Sequence, residues 1–184
     1  MFFKPKFITP FFLLLLFSFK GINTSYTLHK DHLSIPLSEG TLNIIPITAN
    51  SIRIQINGAH TKQDQELILV NKLPIPAFKV SENNNEIQLK TASITVVFNK
   101  KNKALNFKDS KGNVFLSEKV NSRKMTPSAV NGNRCFVAEQ SFDSPENEFL
   151  FGLGQFQDGH YNLKDISQKL IQVNTQIAVP FLYS

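Results

Sequence analysis

The sequence has 184 residues, of which 41% are hydrophobic, and a formal net charge of +6. Its basic side chains are scattered, whereas nucleic-acid binding needs them clustered on one face, so we expect no nucleic-acid partner. The single cysteine, Cys135, excludes an intrachain disulfide and a zinc site built from thiolates. Its neighbours are Phe136 and Val137, and we expect Cys135 to pack as a small apolar side chain.

Residues 1–22 are predicted to be a secretory signal peptide. Lys4 and Lys6 precede an apolar run over residues 7–19. This run is shorter than the roughly 20 residues that a transmembrane helix needs, although an uncleaved membrane anchor is the alternative. Cleavage removes three lysines and leaves 17 basic and 14 acidic residues, a net charge of +3. We therefore expect a secreted or periplasmic protein of bacterial type, with one domain over residues 23–184 and no membrane association after cleavage.

The rest of the chain predicts short β-strands separated by polar turns. Ile52, Ile54 and Ile56 alternate with polar residues, as a strand with one buried face requires. Asn, Asp, Lys and Gly cluster between the apolar runs, which is typical of turns. The strand candidates are residues 42–47, 52–56, 86–90, 93–99, 104–109, 114–118, 134–142, 169–174 and 177–182. About 160 residues form one ordinary core, so we expect a single all-β sandwich or barrel.

Two connecting segments are predicted to differ from this pattern. Residues 164–170 are the one place where a short helix is expected. Residues 119–132 contain Pro127 and few apolar side chains, and we expect them to form a long irregular surface connection.

The C-terminal part of the chain carries the most specific pattern. Strand-like apolar residues run into Gly152-Leu153-Gly154 and are followed by a polar loop over residues 155–161. Glycines two apart let the backbone adopt positive φ and approach neighbouring groups closely. A phosphate-binding loop is excluded, because no third glycine and no Lys-Ser/Thr pair follows.

The ordered residues of this segment are Phe151-Gly152-Leu153-Gly154-Gln155, Gln157-Asp158-Gly159, Leu170, Gln172-Val173-Asn174-Thr175 and Pro180-Phe181. In this order they resemble the N-terminal β-sandwich domain of glycoside hydrolase family 31, most of all its bacterial α-xylosidases. The resemblance implies a galactose-mutarotase-like β-sandwich, which we expect to be truncated at its C-terminal edge. It also implies a non-catalytic N-terminal portion of an α-glycosidase in carbohydrate metabolism.

In such enzymes the sandwich supports a (β/α)₈ barrel and helps to wall the sugar pocket. The resemblance places Gln155, Gln157, Asp158 and His160 at that pocket as substrate-binding residues. The substrate of the full-length enzyme would be an α-linked oligosaccharide that contains a xyloside.

Catalysis by this chain alone is not expected. The resemblance implies that the catalytic aspartates belong to the barrel, in a Trp-x-Asp-x-Asn-Glu-like phrase. This sequence has no tryptophan and no Asp-x-Asn-Glu, and it is shorter than the ~250 residues of a typical barrel. Asp158 and Asp165 flank the polar loop, but two neighbours among fourteen acidic residues do not identify a catalytic pair. We expect a truncated product or fragment with the barrel missing.

The histidines predict neither a metal site nor a cofactor. His160 could act as the general acid of an aldose epimerase only with a second base nearby, and no glutamate follows Glu148. His29, His32 and His60 are spaced in no metal-ligand pattern, so all four are predicted to lie on the surface or pack in loops. The alternative function is a free-standing secreted carbohydrate-binding or structural β-sandwich. The absence of tryptophan makes that alternative weaker, since sugar rings stack on exposed aromatic side chains.

Overall fold

The computed structural model describes residues 25–58, 69, 71 and 73–184, so the predicted signal peptide lies outside the described residues. Within these ranges the chain is all-β, with thirteen strands and no helix. The strands are β1 Thr27–Leu28, β2 Leu33–Leu37, β3 Gly40–Thr48, β4 Ser51–Asn57, β5 Lys79–Glu82, β6 Glu86–Lys90, β7 Thr95–Asn99, β8 Leu105–Lys108, β9 Val114–Ser117, β10 Lys124–Val130, β11 Asn133–Glu139, β12 Phe151–Gln155 and β13 Ile177–Tyr183.

Two antiparallel sheets form the body of the domain. β1–β2–β3–β4 make a four-stranded sheet and β5–β6–β7–β8–β9 a five-stranded one, each in chain order. Their inward-facing side chains share one core cluster, and the isoleucines of β4 pack against it. The core consists of Leu33, Ile35, Leu42, Ile44, Ile87, Leu89, Val96, Phe98, Leu105 and Phe107. The predicted all-β sandwich is therefore confirmed.

The polar turns lie where the sequence predicts them, and their side chains explain why. Asn83 Oδ1 accepts hydrogen bonds from the backbone N–H groups of Asn85 and Glu86, at 2.8 and 2.9 Å. Asp109 Oδ1 does the same for Lys111 and Asn113, both at 2.9 Å. Such local side-chain acceptors replace the ladder bonds that a turning backbone loses.

The prediction for residues 119–132 was wrong. Part of this segment is β10, which pairs along its whole length with β11 in a two-residue hairpin. Asn131 and Gly132 at its tip have φ angles of 49° and 78°, as a type I′ turn requires at both positions. Pro127 is tolerated because β10 is an edge strand, where one row of backbone groups has no ladder partner.

Two further predictions were wrong. Residues 164–170 contain one turn, at residues 164 and 165, instead of a helix, because Asp165 adopts a φ of 60°, outside the helical region. Residues 169–174 form no strand and contribute only the isolated bridge between Val173 and Gln176. A polar side chain of this segment bonds to the following strand instead: Gln172 Oε1 accepts a hydrogen bond from Ala178 N, in β13, at 3.0 Å.

A buried polar cluster fixes the base of the β10–β11 hairpin to the larger sheet. The side chain of Glu118, which directly follows β9, accepts hydrogen bonds from Leu105 N at 2.9 Å, Gln140 Nε2 at 2.9 Å and Arg123 Nη2. Arg123 directly precedes β10 and Gln140 directly follows β11. One carboxylate thus joins β8 to both ends of the hairpin.

In the described ranges, no helix is long and apolar enough to cross a membrane.

Candidate functional site

The strand β12, which leads into the polar loop, has an unusual backbone. Gly152, Leu153 and Gly154 all adopt positive φ, at 111°, 62° and 112°. A β-carbon on Gly152 would overlap the carbonyl oxygen of Phe181, and one on Gly154 would overlap that of Ile177. Both close approaches are to β13, where the register shifts between the two glycines. The predicted need for glycine here is confirmed, and the pairing with β13 resumes at Gly154 and Gln155 before the polar loop.

The loop is closed at its base by Asn162, which the sequence did not single out. Asn162 Oδ1 accepts hydrogen bonds from Leu150 N at 3.0 Å and Lys164 N at 3.1 Å. Next to it, Leu163 N donates to Leu150 O at 2.7 Å, and the Leu163 side chain is only 8% exposed. The two ends of the loop are therefore held together although its tip is exposed.

A second set of contacts holds the outer side of the loop base. Lys164 Nζ donates to Ser144 Oγ and Pro145 O, both at 2.6 Å. Glu148 accepts hydrogen bonds from Ser144 Oγ at 2.6 Å and Ser184 Oγ at 2.7 Å. These bonds, that of Ser144 foremost, hold the pKa of Glu148 below its usual value.

A shallow cavity of about 390 Å³ lies between this loop and β12. Three of the predicted site residues, Gln155, Asp158 and His160, line it, whereas Gln157 is not among the lining residues. Asp158 Oδ1 accepts a hydrogen bond from His160 N at 3.3 Å, across Gly159 with its φ of 75°. The other lining residues are Phe151, Gly152, Gly154, Phe156, Tyr161 and Leu163.

The lining combines hydrogen-bonding groups with aromatic rings. A carboxylate, an amide and an imidazole can exchange hydrogen bonds with hydroxyl groups, and the rings can pack against the apolar face of a sugar. The Tyr161 side chain is 91% exposed, a feature that no local sequence pattern indicated. Among the described lining residues Asp158 is the sole carboxylate, and Asp165 lies outside the cavity. Glycosidic cleavage uses two carboxyl groups, and these lining residues supply one. The lining groups can therefore bind and orient a ligand, whereas a catalytic pair would need a second carboxyl group.

Cys135 lies at half-buried depth on β11 and is a free thiol. In the described part of the chain, no group of three or more His, Cys, Asp or Glu side chains is arranged to hold a metal ion.

Residues 41–175 match the family described as the glycosyl hydrolase 31 N-terminal galactose mutarotase-like domain. The chain belongs to this family. The match contains β3 from its second residue, the strands β4 to β12 and the whole polar loop. The family 31 resemblance predicted from the glycine-containing segment is therefore confirmed.

Two solved structures share the fold of this family 31 domain. The GH31 α-xylosidase from Xanthomonas citri superposes with a TM-score of 0.77 at 28% identity, over 85% of this chain and 17% of that enzyme. A GH31 α-xylosidase from a soil metagenome, complexed with xylose, gives a TM-score of 0.74 at 24% identity, over 87% of this chain and 26% of that one. The family 31 domain thus spans about a fifth of the length of these enzymes.

Proposed function

We propose that this chain is the non-catalytic N-terminal domain of a secreted or periplasmic α-glycosidase of the α-xylosidase type. In that role it supports a catalytic barrel and contributes one wall of the pocket for an α-linked, xyloside-containing oligosaccharide. Membership of the family and the similarity to the Xanthomonas citri enzyme support the proposal.

The observation that carries the supporting role is the contrast between two parts of the domain. The facing surfaces of the two large sheets are buried, whereas the two ribbons β10–β11 and β12–β13 leave large apolar side chains exposed. On and beside these ribbons the exposed residues are Met125, Val130, Phe136, Val137, Phe149, Phe151, Ile177, Val179, Phe181, Leu182 and Tyr183. Two-stranded ribbons are marginal by themselves and large exposed apolar patches mark interaction sites, so we place the barrel contact here.

The polar loop has a separate role in this proposal. Gln155, Asp158 and His160, which line the cavity, bind the sugar, and the exposed Gln157 of the same loop also contributes to substrate binding. Loss of one hydrogen bond to a charged partner costs about 1.5–3 kcal/mol, which corresponds to roughly a 10- to 150-fold loss of affinity.

A chimera tests both roles. This chain replaces the equivalent domain of the Xanthomonas citri α-xylosidase, and kcat/KM is measured on an α-xylosyl disaccharide. We expect an active enzyme in which Asp158→Asn and His160→Gln each raise KM about tenfold. Asp165→Asn is the matched control, because Asp165 lies in the same segment outside the cavity. Equal KM values for all three variants would contradict the loop's role.

The alternative, a free-standing binding domain, predicts a different outcome. The 184-residue chain alone would bind the disaccharide, with ¹⁵N–¹H shifts confined to the loop. We expect no saturable binding by the chain alone, because the cavity is shallow and presents one wall only. Export is tested separately by mass spectrometry of protein from the native cell, where we expect an N-terminus between residues 18 and 27 and no intact Met1.

A further inference from the structure

Three aromatic rings line the cavity beside the polar loop, and they differ in how much protein surrounds them. Phe151 contacts the ring of Tyr183 on β13, with centroids 6.4 Å apart, and Phe156 is half-buried. Tyr161 is 91% exposed, and within the described part of the chain its side chain makes neither a ring contact nor a hydrogen bond. Both faces of the Tyr161 ring are therefore open to a molecule in the cavity.

The backbone on both sides of Tyr161 is held in place although its ring is uncovered. Asn162, the next residue, accepts a hydrogen bond from Leu150 N at 3.0 Å and closes the loop. On the other side, His160 N donates to Asp158 Oδ1 at 3.3 Å. A tyrosine held in this way offers a large contact area at a low entropic cost, because only two side-chain dihedral angles remain to be ordered.

We propose that Tyr161 is a stacking platform for a pyranose ring of the substrate, an inference that rests on the proposed function of the polar loop. A pyranose carries C–H groups on its faces and hydroxyl groups around its edge. The tyrosine ring covers one face of the sugar. Asp158 and His160, which line the same cavity, exchange hydrogen bonds with the hydroxyl groups. The four polar residues predicted from the sequence supply hydrogen bonds alone, and Tyr161 adds the apolar contact.

The chimera with the Xanthomonas citri α-xylosidase, assayed on an α-xylosyl disaccharide, tests the platform. Tyr161→Ala should raise KM about tenfold, as removal of one aromatic contact does. Tyr161→Phe keeps the ring and should leave KM nearly unchanged, because stacking does not use the hydroxyl group. Tyr183→Ala is the matched control, since Tyr183 is also an exposed tyrosine but lies outside the cavity. It should leave KM unchanged.

The outcomes separate the platform from the proposed function of the loop. If Asp158→Asn and His160→Gln raise KM but Tyr161→Ala does not, the platform is overturned and the loop's role stands. A lower Tm of the chimera at unchanged KM would then identify Tyr161 as a barrel contact. Equal rises in KM for Tyr161→Ala and Tyr161→Phe overturn the platform too, because the hydroxyl group would carry the contact. If no loop variant changes KM, the proposed function fails and the platform fails with it.

An inactive chimera transfers the comparison to the 184-residue chain with methyl α-xyloside in large excess. Saturation-transfer NMR detects contacts that are too weak to saturate the protein. We expect transfer to the C–H protons of the sugar, retained with Tyr161→Phe and lost with Tyr161→Ala. Circular dichroism checks that each variant is folded. The platform is overturned if the unchanged chain transfers nothing to the sugar, or if transfer survives Tyr161→Ala.

Discussion

Replacement of Glu118 by glutamine should destabilise the domain strongly, although the two side chains are almost equal in size. The Glu118 residue is only 4% exposed, and it accepts three hydrogen bonds, from a backbone N–H, an amide and the Arg123 guanidinium. Arg123 is itself about nine-tenths buried, and its Nε has no hydrogen-bond partner among the described atoms. Glutamine keeps the volume but removes the negative charge and one acceptor oxygen, so Arg123 would remain as a buried charge without a counter-ion.

Breaking a buried ion pair by removing one partner costs about 3–5 kcal/mol. A domain of this size loses roughly 2–4 °C of Tm per kcal/mol, so Glu118→Gln should lower Tm by roughly 6–20 °C. The double variant Glu118→Gln with Arg123→Met removes the stranded charge as well. It should therefore be more stable than the Glu118→Gln variant, whereas Arg123→Met by itself should destabilise the domain by leaving Glu118 unpaired; opposite effects of Arg123→Met in the two backgrounds are non-additive.

Thermal and urea unfolding followed by circular dichroism would measure these differences. Glu139→Gln is the matched control, because Glu139 is an exposed glutamate at the end of the same hairpin. It should change stability by less than about 0.5 kcal/mol. If Glu118→Gln and Glu139→Gln unfold at the same temperature, or if the double variant is less stable than the single one, the assigned role of the ion pair is incorrect.

Three other predictions concern the glycine backbone, acid stability and association. Gly154→Ala should lower the free energy of unfolding, measured in urea, by about 1–3 kcal/mol and by more than Gly112→Ala does. Both glycines have positive φ, but only a β-carbon at Gly154 overlaps backbone atoms. Equal losses would show that the backbone shifts to relieve the overlap at no cost. The side-chain hydrogen bond from Asn113 lowers the pKa of Asp109 from its usual 3.8, so the ionised Asp109 stabilises the fold above about pH 4 and this stabilisation is lost as pH falls further. Asp109→Asn should therefore flatten the decline in Tm between about pH 5 and pH 3, and an unchanged slope would show that Asp109 is not a source of the acid sensitivity. The chain should self-associate through its exposed ribbons, and Phe181→Asp, at a side chain that is 64% exposed, should reduce the mass measured by light scattering. If the unsubstituted chain is a monodisperse monomer, the exposed apolar side chains do not drive association.

The sequence by itself determined the features that depend on neighbours a few residues away. Alternation in β4 and the apolar runs of β6 to β9 predicted strands because side-chain direction in a strand has a period of two. Polar turn residues located the connections because their side chains bond to their own backbone. The positive φ of Gly152 and Gly154 was likewise a local property of residues without a β-carbon. The Asn131-Gly132 turn belongs here too, since this dipeptide favours a hairpin that our sequence prediction overlooked.

Only the tertiary structure decided the features that join distant parts of the chain. Nothing near Glu118 in sequence indicates that its carboxylate is buried against Leu105 and Gln140, since burial depends on how the hairpin folds onto β8. Asn162 looked like an ordinary loop residue, yet it closes the loop on Leu150, twelve residues away. His29 and His32 were predicted only to lie on the surface or in loops, but a two-residue turn places their rings in contact. In each case a reversal of the chain brings the two residues together. The local sequence specifies where the chain reverses, but it does not specify which residues then lie opposite each other.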